Sequence, residues 1–290
     1  MDKKAKRRFN LIDAAIVLLA LLVLGAIWLL RDRSTGASAT EYPMQLLIEL
    51  NTVPGGSLAL MEEGSEVYRA TDNTYLGVIA SVESEPYTES KAVPALGKTV
   101  SYVPQENAYR VYLTVDTSGY LTEKDAIVSG TSCKIGDVCH VKGKGFAASG
   151  YIVGVDTKDA PAPEGGEGSG ALDLTYTARI GAVRSFTAEG VQRGDRIYDK
   201  TSGSFIGTVT DIEITPYTSV DLNAAGESVT ITYDDRYNVL LTIECRATER
   251  PAGYWLGTAE LKVGSTQQFY TRTLASSFNV QQLVSIEAVD

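Results

Sequence analysis

The side chains that could carry covalent chemistry in this sequence are few, and they lie close together. Cys133 and Cys139 are six residues apart, and His140, the single histidine of the chain, directly follows Cys139. A Cys–His nucleophile or a Ser–His–Asp triad would therefore have to use His140. Neighbouring side chains of a strand point to opposite faces, so Cys139 and His140 are not expected to form a reactive pair.

The spacing of Cys133 and Cys139 suits a disulfide that closes a hairpin in an oxidising compartment, and the alternative is two free thiols. Cys245 would then be an unpaired thiol, which we expect to be buried in its strand. Three cysteines and one histidine without paired spacing do not make a zinc site. We therefore predict no metal and no cofactor.

Two pairs of adjacent carboxylates, Glu62-Glu63 and Asp234-Asp235, lie in polar, turn-like stretches. Glycosidases need two separated carboxyl groups held in a pocket, so these pairs are interpreted as solvated loop residues. The segment Gly143–Phe146 lacks the glycine spacing and the following Ser or Thr of a phosphate-binding loop. We therefore expect no catalytic residue, and we expect that the protein is not an enzyme.

Short runs rich in Val, Ile, Thr and Tyr, bounded by Gly, Pro, Asn and Asp, indicate strands along the chain. The runs are residues 44–50, 75–83, 109–115 and 150–156, then 205–214, 228–233 and 237–243. Residues 71–74 and 201–204 lie between apolar runs and indicate hairpin turns. This pattern predicts an all-β fold with two homologous small domains, each a β-barrel or a sandwich.

An internal repeat supports two domains. Gly64–Thr88 aligns to Gly194–Thr218 without a gap, and the identical positions include two glycines and one proline. The match resumes at Tyr109–Asp116 over Tyr237–Glu244 after a slip of two positions, then continues at Lys134–Gly136 over Lys262–Gly264. Such a repeat indicates duplication of one structural unit.

An apolar run from Ala14 to Leu30, extended by Leu11 and Ile12, has about the 20 residues that cross roughly 30 Å of hydrocarbon. It predicts a single transmembrane helix. Five basic residues precede the run and two follow it, so the N-terminus is expected in the cytoplasm and the bulk of the chain outside. A cleaved signal peptide, with a processing site near Ala37-Ser38-Ala39, is the competing interpretation. Asp13 begins the helix or recruits a membrane partner.

These observations predict six segments. They are a basic cytoplasmic tail at 1–10, the transmembrane helix at 11–30, a juxtamembrane linker at 31–41, the first β domain at 42–156, a flexible linker at 157–171 and the second β domain at 172–290. The linker prediction rests on its Pro, Gly and Glu content, which cannot form a core.

The charge distribution argues against nucleic acid as a partner. The net charge of −10 hides an N-terminal stretch, residues 1–33, with seven Lys and Arg and three Asp, so the rest of the chain carries −14. Nucleic-acid binding needs clustered Lys and Arg that neutralise phosphates. The acidic exported part would repel such a partner.

Two motifs are familiar: Asn10-Leu11-Ile12-Asp13 at the start of the apolar run, and Gly-Asp-x-Ile-Tyr-Asp at Gly194–Asp199, which continues to Val209. With them the chain resembles the bacterial membrane-anchored proteins grouped as domain of unknown function 4330. The first copy departs from the motif at Ser65 and at Asp72-Asn73. The resemblance implies no known activity, and it associates some members with envelope polysaccharide genes.

The motif residues of both copies are interpreted as turn and close-packing positions rather than as a ligand site. They are Gly64, Tyr68, Gly77, Pro86, Gly194, Asp195, Tyr198, Gly207 and Pro216.

We therefore expect a non-enzymatic binding or scaffold protein of the bacterial cell envelope, integral to the membrane through one helix. It would bind a protein partner or further copies of itself, and two linked modules would strengthen such contacts. The alternative is an accessory subunit of a transport or polysaccharide-assembly system that binds cell-wall glycan through exposed tyrosines.

Overall fold

The structure, a computed structural model, describes residues 40–93, 96, 98–101, 104–157, 168, 170–223 and 225–289. The predicted cytoplasmic tail and transmembrane helix lie outside this part of the chain, as does most of the predicted linker at 157–171. Among the described residues, no helix has the length and apolar character needed to cross a membrane. Glu41–Asp290 form one compact unit.

Antiparallel strands dominate both halves of this unit, as the alternating and β-branched runs predicted. We call residues 41–156 the first repeat and residues 172–289 the second repeat. The elements of the first repeat are β1 (Glu41–Pro54), α1 (Gly55–Leu58), β2 (Glu66–Arg69), β3 (Tyr75–Pro86), β4 (Ser90–Val93), β5 (Lys98–Ser101), β6 (Ala108–Leu121), β7 (Ala126–Val128), β8 (Thr131–Ser132), β9 (Val138–Gly143) and β10 (Phe146–Asp156). Those of the second are β11 (Leu172–Val183), α2 (Ser185–Glu189), β12 (Arg196–Asp199), β13 (Phe205–Leu222), β14 (Ser228–Arg250), β15 (Gly253–Leu256), β16 (Ala259–Leu261), β17 (Thr266–Tyr270) and β18 (Ala275–Ala288).

Each repeat closes into a small six-stranded barrel. In the first repeat the order is β1-β10-β9-β2-β3-β6, and β6 pairs back with β1. In the second the order is β11-β18-β17-β12-β13-β14, and β14 pairs back with β11. Closure removes exposed strand edges, which a sandwich would leave open. The predicted all-β class with two similar domains is confirmed, and the barrel is the form observed.

Alternation along the strands places one apolar core inside each barrel. On β1, Met44, Leu46, Ile48 and Leu50 are buried and face the interior. The second core is built in the same way from β11, β13, β14, β17 and β18, and Tyr176, Phe269 and Phe278 are its largest fully buried side chains. Burying one such side chain contributes about 1.5–3 kcal/mol, so the cores supply the main driving force for folding.

The duplication extends to individual backbone hydrogen bonds. In the first repeat the Gly64 amide donates to the Ile79 carbonyl at 2.8 Å, and the Ile79 amide donates to Ser65. In the second repeat the Gly194 amide donates to the Val209 carbonyl at 2.8 Å, and the Val209 amide donates to Asp195. The two repeats therefore share their turn geometry as well as their strand order.

The connection that follows Pro86 in the first repeat differs from the one that follows Pro216 in the second. In the second repeat β13 and β14 continue as a two-stranded ribbon, in which Thr218–Leu222 pairs with residues 228–232. The corresponding segment of the first repeat contains the β4–β5 hairpin, and the backbone of Lys98 pairs with that of Thr232 in the ribbon. This segment also contains the slip of two positions in the repeat alignment.

Candidate functional site

Cys133, Cys139 and His140 line one pocket of about 280 Å³ on the first repeat, together with Arg69 and Asp137. Cys139 is buried whereas His140 is exposed, as expected for neighbours on β9. The His140 Nδ1 atom lies 2.7 Å from the Ser149 hydroxyl, in a hydrogen bond with the adjacent strand. The imidazole is therefore held by β10 and points away from the Cys139 side.

All three cysteines are free, buried thiols in the structure, so the disulfide predicted between Cys133 and Cys139 is not formed there. Burial raises the pKa of Cys133, that of Cys139 to about 11 and that of Cys245 to about 12. Since the thiolate is the nucleophile, thiols with such pKa values are poorly reactive at neutral pH.

The glycines of the repeated motif lie at turns and at positions where two neighbouring strands approach closely. Gly194 has φ +88° and begins the turn that enters β12, as Gly64 does with φ +81° before β2. Gly207 has φ +145°, and a Cβ there would lie 2.4 Å from the Ile243 side chain. At Gly77 (φ +149°) a Cβ would lie 2.2 Å from the Asp116 carbonyl. Glycine is required at both strand crossings because any side chain would overlap the neighbouring strand.

The acidic residues of the motif bind backbone amides. The Asp199 carboxylate accepts hydrogen bonds from the amides of Thr201 and Ser202 and so closes the β12–β13 turn. The Asp195 carboxylate accepts the Gln192 amide at 2.9 Å, and burial raises its pKa. In the first repeat Asp72 accepts the Thr74 amide in the same way.

Pro86 and Pro216 occupy equivalent places in the two repeats. Each pairs with a tyrosine of the next barrel strand, Pro86 with Tyr109 and Pro216 with Tyr237, where the connections begin to diverge. The carboxylate pairs Glu62-Glu63 and Asp234-Asp235 are exposed. Among the described residues, no group of three or more His, Cys, Asp or Glu could hold a metal ion.

An arrangement of buried polar groups lies at the junction between the repeats. Two backbone hydrogen bonds cross it: the Ile135 amide donates to Thr273 at 2.6 Å, and the Ala126 amide donates to Arg272 at 3.2 Å. Ile135 also forms a parallel bridge with Leu274 and packs into the core of the second repeat. The chain thus joins the two barrels by a short, sheet-like contact.

Lys134 anchors the same junction with a buried ammonium group. Its Nζ donates to the carbonyls of Lys124 (2.6 Å), Thr271 (2.8 Å) and Arg272 (3.3 Å), and it lies 3.1 Å from the Asp125 carboxylate. Burial lowers the pKa of Lys134, and Asp125 opposes that shift. The equivalent residue of the second repeat, Lys262, is exposed, so only the junction buries this side chain.

The loop between β6 and β7 completes the contact by covering Tyr198. The Lys124 ammonium lies 5.0 Å from the centre of the Tyr198 ring and donates to the Gly203 carbonyl at 2.8 Å. The Tyr198 hydroxyl donates to the Glu123 carboxylate at 3.3 Å. Together with the Tyr270 ring, which stacks on Tyr198 at 5.6 Å, this loop leaves Tyr198 2% exposed, whereas the equivalent Tyr68 is half-buried.

A cleft of about 600 Å³ borders the junction, with Tyr112, Phe186 and Glu189 among its lining residues. At its edge Glu49, which is 2% exposed, accepts hydrogen bonds from one Arg184 nitrogen at 2.7 and 2.8 Å. Arg110 lies 3.6 Å from the same carboxylate. Charged groups of both repeats therefore neutralise one another beside the cleft.

Sequence reasoning missed the charged residues of the junction, among them Glu49, Lys134 and Arg184. Glu49 interrupts the apolar run of β1 at an outward-facing position, which is the one signal that could have suggested it. In the sequence Lys134 shows only its match to Lys262, and Arg184 carries no local signal. Their partners lie far apart in the chain, so no spacing rule brings them together.

The fold and the junction define an all-β protein of two barrel repeats joined into one unit. The chain belongs to the family described as Domain of unknown function (DUF4330), whose model matches residues 2–156, more than half of its 290 residues. The matched stretch contains the predicted membrane segment and ends with β10, the last strand of the first barrel. Comparisons with curated proteins and with solved structures gave no match.

Proposed function

We propose that the protein is a single-pass, membrane-anchored extracytoplasmic protein that acts as a non-enzymatic binding or scaffold module in the bacterial cell envelope. The apolar run near the N-terminus supports the anchor, and the Lys and Arg that precede it support an extracytoplasmic position for both repeats. The family match includes this run.

The observation that carries the binding role is the asymmetry of the junction. The first repeat contributes Glu49 of β1, its β6–β7 loop and the Lys134-Ile135 turn. The second contributes Arg184 at the start of α2, the β12–β13 turn and the β17–β18 turn. The two repeats are equivalent, but they use different faces in the junction. The face that the first repeat uses therefore lies outside the junction on the second repeat, and the face that the second repeat uses lies outside it on the first. A head-to-tail arrangement of this kind leaves surfaces that suit protein contacts.

The motif residues support the same proposal, since Asp195, Asp199 and Tyr198 are engaged in turns and in the junction. Their hydrogen-bonding groups bind amides or side chains of this chain. Partner binding is therefore assigned to the surfaces that these residues position and not to the motif residues themselves.

In-cell photo-crosslinking tests this function. A photoreactive amino acid would replace Asn73, which is exposed and equivalent to Gly203 of the junction, in the full chain in its native membrane. The matched control places it at Val284, which is 55% exposed on β18. We expect a discrete adduct from position 73 and none from position 284. Equal adduct patterns, or no adduct at either position, would contradict a binding role for this face.

Protease treatment tests the membrane topology separately. With the wall removed, protease added to intact cells is expected to cut the β unit and leave a small N-terminal fragment, ending near Ser34–Thr40, in the membrane. Full protection of the β unit in intact cells, with cleavage only after lysis, would contradict the extracytoplasmic position.

A specific observation also favours the glycan-binding alternative. Tyr75, Tyr120 and Tyr151 of the first repeat are 43%, 42% and 39% exposed, and Tyr75 lies edge-to-face with Tyr68 at 5.6 Å. Exposed aromatic rings bind sugar faces, so this alternative predicts retention on cell-wall polysaccharide that is lost in Tyr75→Ala. Equal retention of Tyr75→Ala and the unchanged protein would exclude this ring as the binding site.

A further inference from the structure

We infer that the partner of the proposed binding module is a second copy of this chain, joined by the same head-to-tail contact that joins its two repeats. The free face of the second repeat, around Lys262 and Val263, would bind the free face of the first repeat, around Leu60, Tyr68 and Gly143–Gly145. This inference rests on the proposed function, and it names the partner.

The binding face of the second repeat has the residue types that the junction uses. Lys262 is equivalent to Lys134 and Val263 to Ile135, in the same register that aligns Tyr237 with Tyr109. In the junction Lys134 is 9% exposed and Ile135 is 6% exposed, whereas Val263 is 52% exposed. The second repeat thus presents an ammonium group and an aliphatic side chain that lack the cover their counterparts have.

The receiving face of the first repeat has the backbone that the junction uses. Lys134 donates to Thr271 and Arg272, and Ile135 donates to Thr273, all in the β17–β18 turn. The equivalent β9–β10 turn, Gly143–Gly145, is exposed or half-buried. Its carbonyl groups are placed to accept from Lys262 and from the Val263 amide of another copy.

At the centre of the contact, the larger apolar side chain belongs to the first repeat in the junction (Ile135) and also to the first repeat in the contact between copies (Leu60), but it comes from the opposite face. In the junction Gly190 leaves room for Ile135, since a Cβ there would lie 3.0 Å from the Ile135 Cδ1 atom. The equivalent residue of the first repeat is Leu60, which is 44% exposed. In the contact between copies, the larger Leu60 therefore faces the smaller Val263. Their combined side-chain volume keeps the centre of the contact apolar and filled.

The contact between copies is weaker than the junction because its charged contacts are not reproduced. Ala252 and Gly253 are equivalent to Lys124 and Asp125. Arg179 is equivalent to Glu49, and Pro54 is equivalent to Arg184, so the ion pair is absent from this contact. Weak contacts become populated when chains share a membrane surface, since tethering raises their effective concentration. A contact between unlike faces does not close on itself, so it can extend to further copies.

Cysteine crosslinking between differently tagged full-length chains, co-expressed in one membrane, tests the contact. One chain carries Leu60→Cys and the other Val263→Cys, and copper phenanthroline oxidises adjacent thiols. The matched control pairs Leu60→Cys with Val284→Cys, and chains without an added cysteine run in parallel. We expect at least about a tenfold excess of the two-tag dimer for the first pair over the control pair. Adding Gly145→Glu to the chain that carries Leu60→Cys should abolish this excess, because it places a side chain on the receiving turn.

Equal yields for the two pairs, or no two-tag dimer, would overturn the inference. The photo-crosslinking at position 73 separates this failure from failure of the proposed function. An adduct with a different protein and no two-tag dimer would leave the binding module standing and remove the second copy as its partner. No adduct and no dimer would overturn both.

Discussion

Glu49 of the first repeat and Arg184 of the second form an ion pair across the junction, with one guanidinium nitrogen 2.7 and 2.8 Å from the two carboxylate oxygens. The carboxylate is on an outward-facing position of β1, and the second repeat buries it. The Arg184 guanidinium also lies 4.8 Å from the centre of the Phe186 ring. The pair therefore ties the strand of one barrel to the start of the helix of the other.

Glu49→Gln is expected to destabilise the protein by about 3 kcal/mol, because the change leaves the charge of Arg184 without its carboxylate in a largely buried contact. Urea unfolding of the full chain in detergent measures the loss. Arg179→Gln, at the equivalent exposed position, is the control and should stay within about 0.5 kcal/mol of the unchanged protein. Equal effects of the two substitutions would contradict the role of the ion pair.

Lys134→Met is expected to cost about 2–3 kcal/mol, because the carbonyls of Lys124 and Thr271 lose the ammonium donor and the Arg272 carbonyl keeps only the Ala126 amide. The change keeps the approximate length of the side chain but removes the ammonium. Lys262→Met alters the exposed counterpart and should shift stability by less than about 0.5 kcal/mol. Thermal unfolding of both variants at one pH gives the comparison, and a large loss in Lys262→Met alone would contradict the assignment.

The ionisation of Asp195 is expected to make the free energy of unfolding depend on pH. Burial raises its pKa above the ordinary 3.8, although the Gln192 amide and Arg272 oppose this shift. A carboxyl whose pKa is higher in the folded state binds its proton more tightly there, so its contribution is full below pH 3.8 and is lost as pH rises through the folded pKa.

Asp195→Asn keeps an acceptor for the Gln192 amide and cannot ionise. The difference in unfolding free energy between this variant and the unchanged protein should therefore grow in favour of Asn as the pH rises from acid to neutral. Urea titrations at several pH values measure it, with the exposed Glu63→Gln as control. A difference that shrinks with rising pH would show that the Asp195 pKa is not raised.

Gly77→Ala is expected to cost at least about 2 kcal/mol, because the new Cβ would lie 2.2 Å from a backbone carbonyl and the φ of +149° is strained for alanine. Gly64→Ala is the matched control, since its φ of +81° brings strain but nothing lies within 4 Å of the Cβ. We expect about 1 kcal/mol for the control. Similar losses in both would show that the close approach at Gly77 contributes little.

The thiols of Cys133, Cys139 and Cys245 are expected to resist alkylation in the native protein at neutral pH, because burial raises the pKa of each. In denaturant without reductant, mass spectrometry should detect three alkylated cysteines. One alkylated cysteine, rising to three after reduction, would show that Cys133 and Cys139 form the disulfide predicted from their spacing.

The sequence by itself determined the fold class and the duplication, because both depend on local patterns. Alternating apolar residues such as Leu46, Ile48 and Leu50 predict strands, and Gly64 and Gly194 mark the same turn in the two copies. Backbone conformations that only glycine adopts easily leave a trace in the sequence itself. The family resemblance rested on the same local motifs.

Only the tertiary structure decided that each sheet closes into a barrel and that the repeats join through different faces. The pairing of β1 with β6, and the meeting of Glu49 with Arg184 or of Lys134 with Thr271, connect residues that are far apart in the chain. Lys134 and Lys262 look alike in the sequence, yet one is buried and the other exposed. Burial is set by what packs against a side chain, and no local pattern encodes that partner.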